Sequence, residues 1–188
     1  MAVESLRRQA PEQLAWLGAA LEAEEWRLKV LSSDLGVSVS SGRVSTAAGT
    51  EITPQWRLLV LHYLCVASRP DVLEPEITFA DLAAARTYVS VYDKRVTDRL
   101  CAGVGRDART LQVAAAALGA RGAGAGDVAF DLQPFPRLGV RVIWYAADEE
   151  FAPSATLLFP GNVESFFCVE DIVVLSERLV SRLCGKPF

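Results

Sequence analysis

Histidine, methionine and asparagine each occur once in this 188-residue chain. A centre built from several imidazoles is therefore excluded, and any general-base work at neutral pH falls on His62. The four cysteines, Cys65, Cys101, Cys168 and Cys184, form no C-x-x-C pair and are widely spaced. That excludes a zinc-finger type of site and a disulfide framework, and implies reduced, buried thiols in a cytoplasmic protein. No stretch reaches the eighteen apolar residues that a membrane span needs, and "MAVESLRRQAPEQL" lacks the apolar run of a secretory leader. A soluble, cytoplasmic chain without a membrane partner is expected. Nor is there an H-E-x-x-H, a G-x-S-x-G or a Cys-His arrangement of known spacing, which argues against a zinc protease or a serine or cysteine triad.

Positive charge is also in short supply. The net charge is −4 and the sequence pI is near 5.1, which speaks against nucleic acid as a partner, since phosphate contacts need a surplus of Lys and Arg. Residues 148–188 hold seven acids against three bases, so the whole excess of negative charge lies there. Lysine occurs three times against sixteen arginines, a skew that reads as coding bias beside so much Ala and Gly.

What is present is ordinary globular composition, 51% apolar and 22% charged, in a chain long enough to bury a core without staples. The expectation is a single domain, 1–188, with an N-terminal helix over 1–25 and a core over 26–188. Pro11 opens that helix, with Leu14, Leu17 and Leu21 at helical spacing. "WRLKVLSSDLGVSVSSGRVST" alternates and breaks at glycine and serine, which predicts two or three short strands in a meander. Thr53-Pro54 reads as an N-cap followed by proline at the first helical position. The helix it starts, "PQWRLLVLHYLCVAS", is apolar almost all round and is read as the central buried one. Two or three helices follow, the longest ending at Gly103 and Gly105. Then the period becomes two, with Val128, Phe130 and Leu132 on one face and Leu138, Val140, Val142 and Trp144 on the other strand's face. The two segments make an antiparallel pair, "ATLLF" a third strand, and "VEDIVVLSERLVSRLCG" an amphipathic closing helix. Ile172, Leu175, Leu179 and Leu183 face inward along it. The fold class is α+β: a small, mostly antiparallel sheet packed against several helices, one of them central and buried.

Three features invite a chemical reading. Gly122, Gly124 and Gly126 resemble a phosphate loop, but they leave a helix and enter a strand, and no Lys-Ser/Thr follows; they read as a connector. His62 has Leu58, Leu59, Cys65 and Val66 at helical spacing, the setting of a core histidine donating to one buried acceptor. The run Asp148, Glu149, Glu150 follows the strand directly. If the strand continued, its parity would carry Asp148 and Glu150 onto the inner face as an acid/base pair or hard-metal ligands, with Glu170 or Asp171 as further ligands. If it ends at "AA", the acids make a solvated turn and Phe151 re-enters the core. Glu170 and Asp171 also suit the first turn of a helix, where acids favour the macrodipole.

The "LLVLHYL" helix, "ITFADL" followed by Tyr88, "GD" before a strand, the prolines ahead of "VRVIWYAADEEF", then "LLF" and "VEDIVVL" together resemble the family filed as domain of unknown function 3786. The resemblance runs from about residue 26 to the end. Its most specific part is W-x-x-x-D-E-E-F, here Trp144, Asp148, Glu149, Glu150 and Phe151. The resemblance assigns no activity and names no cofactor. Some members carry or neighbour a cysteine-rich iron–sulfur segment like those of corrinoid methyl-transfer proteins; this chain has no cysteine cluster. It singles out the acid run and His62. The leading expectation is a module that binds a small molecule or a partner protein. The alternative is an enzyme using Asp148, Glu150 and His62, with or without a metal.

Overall fold

The computed structural model describes residues 2–22, 25–71, 73 and 75–188. Two short helices open it, α1 (Ala2–Arg7) and α2 (Pro11–Trp16). They lead into a four-stranded antiparallel meander: β1 (Ala19–Glu22), β2 (Glu25–Val30), β3 (Ser33–Ser38) and β4 (Arg43–Thr46), adjacent in that order. Period-two burial drives it. Leu28 lies opposite Leu35 and Val37 opposite Val44, and all four are fully buried or nearly so.

The N-terminal helix is shorter than its leucine spacing predicts. Gly18 takes a left-handed φ of +86°, which ends α2 after one and a half turns, and the chain reverses into β1. Leu21 then sits on a strand and is 60% exposed, whereas Leu14 and Leu17 are buried as expected.

α3 (Pro54–Leu64) begins as the Thr53-Pro54 pair predicts, with Thr53 extended and Pro54 at the first position, although the Thr53 side chain makes no capping bond. It buries Trp56, Leu59, Val60, Leu61, Tyr63 and Leu64, and so is the central helix. After β5 (Ile77–Thr78) come two 3-10 turns (Phe79–Asp81 and Ala83–Ala85), then α4 (Val89–Arg95) and α5 (Thr97–Ala102). The long helix expected here is broken at Val96, whose φ/ψ is −118°/−72°. Two β-branched residues meet at that point, and Thr97 Oγ1 donates to the Asp93 carbonyl (3.2 Å) in competition with the helical ladder. A further 3-10 turn leads to α6 (Ala108–Ala117), capped by Asp107, which accepts from the Thr110 amide at 2.7 Å.

The second sheet holds β6 (Arg121–Ala123), β7 (Val128–Phe135), β8 (Leu138–Tyr145) and β9 (Ser154–Phe159), in the order β5-β9-β8-β7-β6, all antiparallel. The structure thus has two sheets where the sequence suggests one. Val128, Phe130, Leu132, Leu138, Val140, Val142 and Trp144 all point inward, as their alternation predicts. α7 (Val169–Leu183) closes the fold with Ile172, Leu175, Leu179 and Leu183 buried, each worth about 1.5–3 kcal/mol in transfer from water.

The glycine run is a connector containing a strand, and its members differ. Gly126 has φ +55°, and a Cβ there meets the Trp144 carbonyl oxygen at 2.7 Å, whereas a Cβ on Gly124 meets nothing within 4 Å. Urea unfolding is expected to show Gly126→Ala destabilised by about 1–3 kcal/mol and Gly124→Ala unchanged within about 0.5 kcal/mol. Equal losses would contradict this account of the turn.

Candidate functional site

His62 lies in the last turn of α3, beside the fully buried Tyr63. Its Nδ1 donates to Asp171 Oδ2 at 2.8 Å across the α3–α7 interface. Asp171 stands in the first turn of α7 and is only 6% exposed, while the imidazole keeps about a third of its surface. A buried carboxylate needs such a partner. The sequence reading expects a core histidine donating to one buried acceptor; the acceptor, Asp171, is one of the two α7 acids considered there, but the ring itself is only half-buried. A carboxylate on Nδ1 also fixes the ring and its tautomer, as in catalytic and metal-binding histidines. Among the described residues, however, no side chain is hydrogen-bonded to the other ring nitrogen, and no group of three or more His, Cys, Asp and Glu stands ready for a metal ion.

Cys168 precedes α7 and is exposed. Its thiol is held above the usual range, first by burial of the sulfur, then by the Glu170 and Asp171 carboxylates, with the Asp171 amide opposing. Burial also raises Cys65 and Cys101. Thiols held protonated are poor nucleophiles. Nor do the four cysteines gather as ligands among the described residues, so they do not fit an iron–sulfur cluster.

The acid run lies at the other candidate place. β8 ends at Tyr145, and Asp127 Oδ2 takes the Ala146 amide at 2.8 Å, turning the chain out of the sheet. Asp148 Oδ1 then accepts from the Glu150 amide (2.8 Å) and the Phe151 amide (2.7 Å), and the Asp148 amide donates to the Phe151 carbonyl (3.0 Å). Those two amide bonds hold the Asp148 carboxyl below its ordinary range. Asp148, Glu149 and Glu150 are all exposed. Inward parity therefore stops at Trp144, which is buried opposite Val128 and Ala155, its indole nitrogen without a hydrogen-bond partner among the described residues. One expectation is corrected: Phe151 does not re-enter the core but is 68% exposed, because the turn closes on its backbone and leaves the ring outside. The bonds of His62 lead to α7 and those of Asp148 stay within its own turn, and among the described residues no hydrogen bond or ion pair joins the two.

Sequence reasoning missed a groove of about 420 Å³ between α4 and the outward face of α7. Ala84, Val173 and Val174 give it apolar walls. Across it runs a polar chain in which Arg95 Nη1 donates to Tyr88 Oη (2.5 Å) and Arg95 Nε pairs with Glu177 Oε1 (2.6 Å). The Tyr88 bond and then the Glu177 charge raise the Arg95 guanidinium. Tyr88 and Arg95 are seven residues apart, two helical turns on one face, which is the signal the sequence offers; Glu177 lies too far along the chain to be read. A second groove, about 740 Å³, lies between α6 and the end of α7, with Val113, Ala114 and Leu183 in its walls and Arg106 and Arg109 beside them.

Fold and geometry define an α+β protein with two antiparallel sheets, one tethered histidine and open surface grooves. Residues 10–182 match the family described as Domain of unknown function (DUF3786), and the chain belongs to that family. The match starts ahead of residue 26, so it takes in α2 and β1 as well. No curated protein and no solved structure matches the chain.

Removing one partner strands the other, so His62→Ala is expected to cost about 1–3 kcal/mol in urea unfolding. The double variant with Asp171→Ala should cost less than the two single losses combined, and strict additivity would show that the bond contributes nothing. Alkylation of Cys168 by iodoacetamide, read by mass spectrometry, is expected to be slower at pH 7 than that of a free cysteine peptide and to rise steeply only above the ordinary thiol range. Reaction at neutral pH as fast as the peptide's would contradict this account of the thiol, burial first and carboxylates second.

Proposed function

We propose that the protein is a binding module, without catalysis of its own, that takes a small amphipathic molecule in the groove between α4 and α7. The observation that carries this reading is the Tyr88–Arg95–Glu177 chain set against apolar walls. Binding clefts of several hundred Å³ combine apolar lining with a few placed polar groups, and a guanidinium held at two points is already oriented for a ligand. Nucleic acid is not part of the proposal, given the acidic balance of the chain. No helix among the described residues is long and apolar enough to cross a membrane, and a cytoplasmic location belongs to the same proposal.

The rival reading, a carboxylate enzyme using Asp148, Glu150 and His62, has less support. It needs these groups within hydrogen-bond reach of a common site, whereas their bonds lead elsewhere. The two readings separate in one pair of experiments. Saturation-transfer NMR with a library of small aromatic and aliphatic acids and alcohols is expected to give binders to the parent that are lost in Val174→Trp, which fills the groove. Binders that persist in that variant would place binding elsewhere and sink the proposal. Under the rival, divalent cations raise the melting temperature of the parent but not of Asp148→Asn/Glu150→Gln; the expected result is no cation-dependent difference between the two.

A further inference from the structure

Two surface features remain unexplained by the fold or by the α4–α7 groove. The first is the 148–151 turn. It holds an aromatic ring 68% exposed, flanked by the exposed carboxylates of Glu149 and Glu150, with Tyr145 half exposed at the strand end behind it. Displaying such a ring in water is costly, since burial of an aromatic side chain removes about 150–250 Å² from solvent. The second is the groove between α6 and the end of α7. Val113 lies in its wall and is 65% exposed, and the cavity is larger than the one beside Tyr88, about 740 Å³ against 420 Å³.

Charge links the two. Arg109 has no ion pair among the described residues. The nearest carboxylate to Arg106 is Asp107 at 3.8 Å, already taken up in capping α6 through the Thr110 amide and hydroxyl, both at 2.7 Å. The apolar groove is therefore rimmed by cations in need of acids, and the exposed ring is flanked by acids in need of cations. No carboxylate lines this groove, whereas four other clefts each have at least one in their lining. Glu170 and Glu177 would repel the acid turn from the α4–α7 groove. The cleft beside the glycine connector carries Asp127 and no base; in one of about 310 Å³, lined by Arg121, Arg137 and Arg141, Arg141 is already paired with Asp131 and Glu76; and one of about 270 Å³ holds Glu51 between Arg43 and Arg57.

We propose that the protein associates with a second copy of itself, the Phe151 ring of one chain entering the α6–α7 groove of the next, with Glu149 and Glu150 against Arg106 and Arg109. Donor and acceptor are different patches, so the contact is head-to-tail, and it extends into a ring or a chain of subunits. The inference is independent of the small-molecule groove, which it leaves open.

Such a contact has a signature that a symmetric dimer lacks. Phe151→Ser removes the donor and keeps the groove; Val113→Glu spoils the groove and keeps the donor. Both positions are at least 65% exposed, so both variants are expected to keep the parent's circular dichroism spectrum and melting temperature. In sedimentation velocity from about 1 µM to about 1 mM, the parent should grow beyond two chains with concentration, and each variant alone should stay monomeric, at least about tenfold weaker in association. Mixed one to one, the variants should form a two-chain species and nothing larger, because each supplies what the other lacks. Arg109→Glu should behave as Val113→Glu does, and higher salt should weaken the parent's assembly. A parent that is monomeric over the whole range overturns the proposal. So do variants that assemble like the parent, or a mixture that stays monomeric.

Discussion

One buried phenol ties the molecule together. The Tyr63 hydroxyl donates to the Leu17 carbonyl at 2.8 Å and accepts from the Arg137 amide at 3.1 Å. Its ring stacks on Phe135 with centroids 4.5 Å apart, with Phe166 and Phe167 on its other sides. The end of α2, the β7–β8 turn and the segment before α7 therefore all converge on one residue of the central helix. Burial drives the hydroxyl's ionisation far above its ordinary range, so it stays a neutral donor and acceptor throughout the working range of pH. Losing the hydroxyl removes the partner of a carbonyl and an amide together.

The rest of the architecture follows from where this residue holds α3. With Tyr63 turned into the aromatic cluster, the adjacent His62 is turned toward α7, where Asp171 waits in the first turn. A second buried tie, Tyr92 Oη donating to Ser176 Oγ at 3.1 Å, fixes α4 against the same helix, and the Ser176 hydroxyl in turn donates a hydrogen bond to the Ile172 carbonyl. α7 is thus held by polar bonds on two sides as well as by its leucines. Its outward face is left to form one wall of the Tyr88 groove. The pairing of tethered helices with an open face is what makes the groove pre-formed rather than a gap to be closed.

How much of this the sequence discloses depends on the range of each interaction. Alternation along β7 and β8 and the heptad-like spacing of α7 are local signals, and their inward residues are read correctly from the chain alone. The α+β class follows from them. The leucines at 14, 17 and 21 mislead because a single left-handed glycine overrides helical spacing, and Phe151 misleads because hydrophobicity says nothing about backbone closure within a turn. The chemistry is less legible still. His62 can be read as tethered to one acceptor, yet its partner lies 109 positions away, and the Arg95–Glu177 bond likewise joins segments with no common pattern.

The conspicuous acid run shows why a dense cluster of carboxylates is weak evidence for chemistry. A working pair needs two environments that push two ionisations apart. At 148–150 the environment is nearly uniform: solvent, and backbone amides that favour the charged form of Asp148. Amide bonds to a carboxylate lower its proton affinity, which is the wrong direction for a general acid. What those bonds achieve is geometric. They fix the backbone of 148–151 in one shape, so the ring of Phe151 is held out at a defined place and ordering it on contact costs little entropy. Asp148 is thus the structural acid of the run, and Glu149, Glu150 and Phe151 are what it presents.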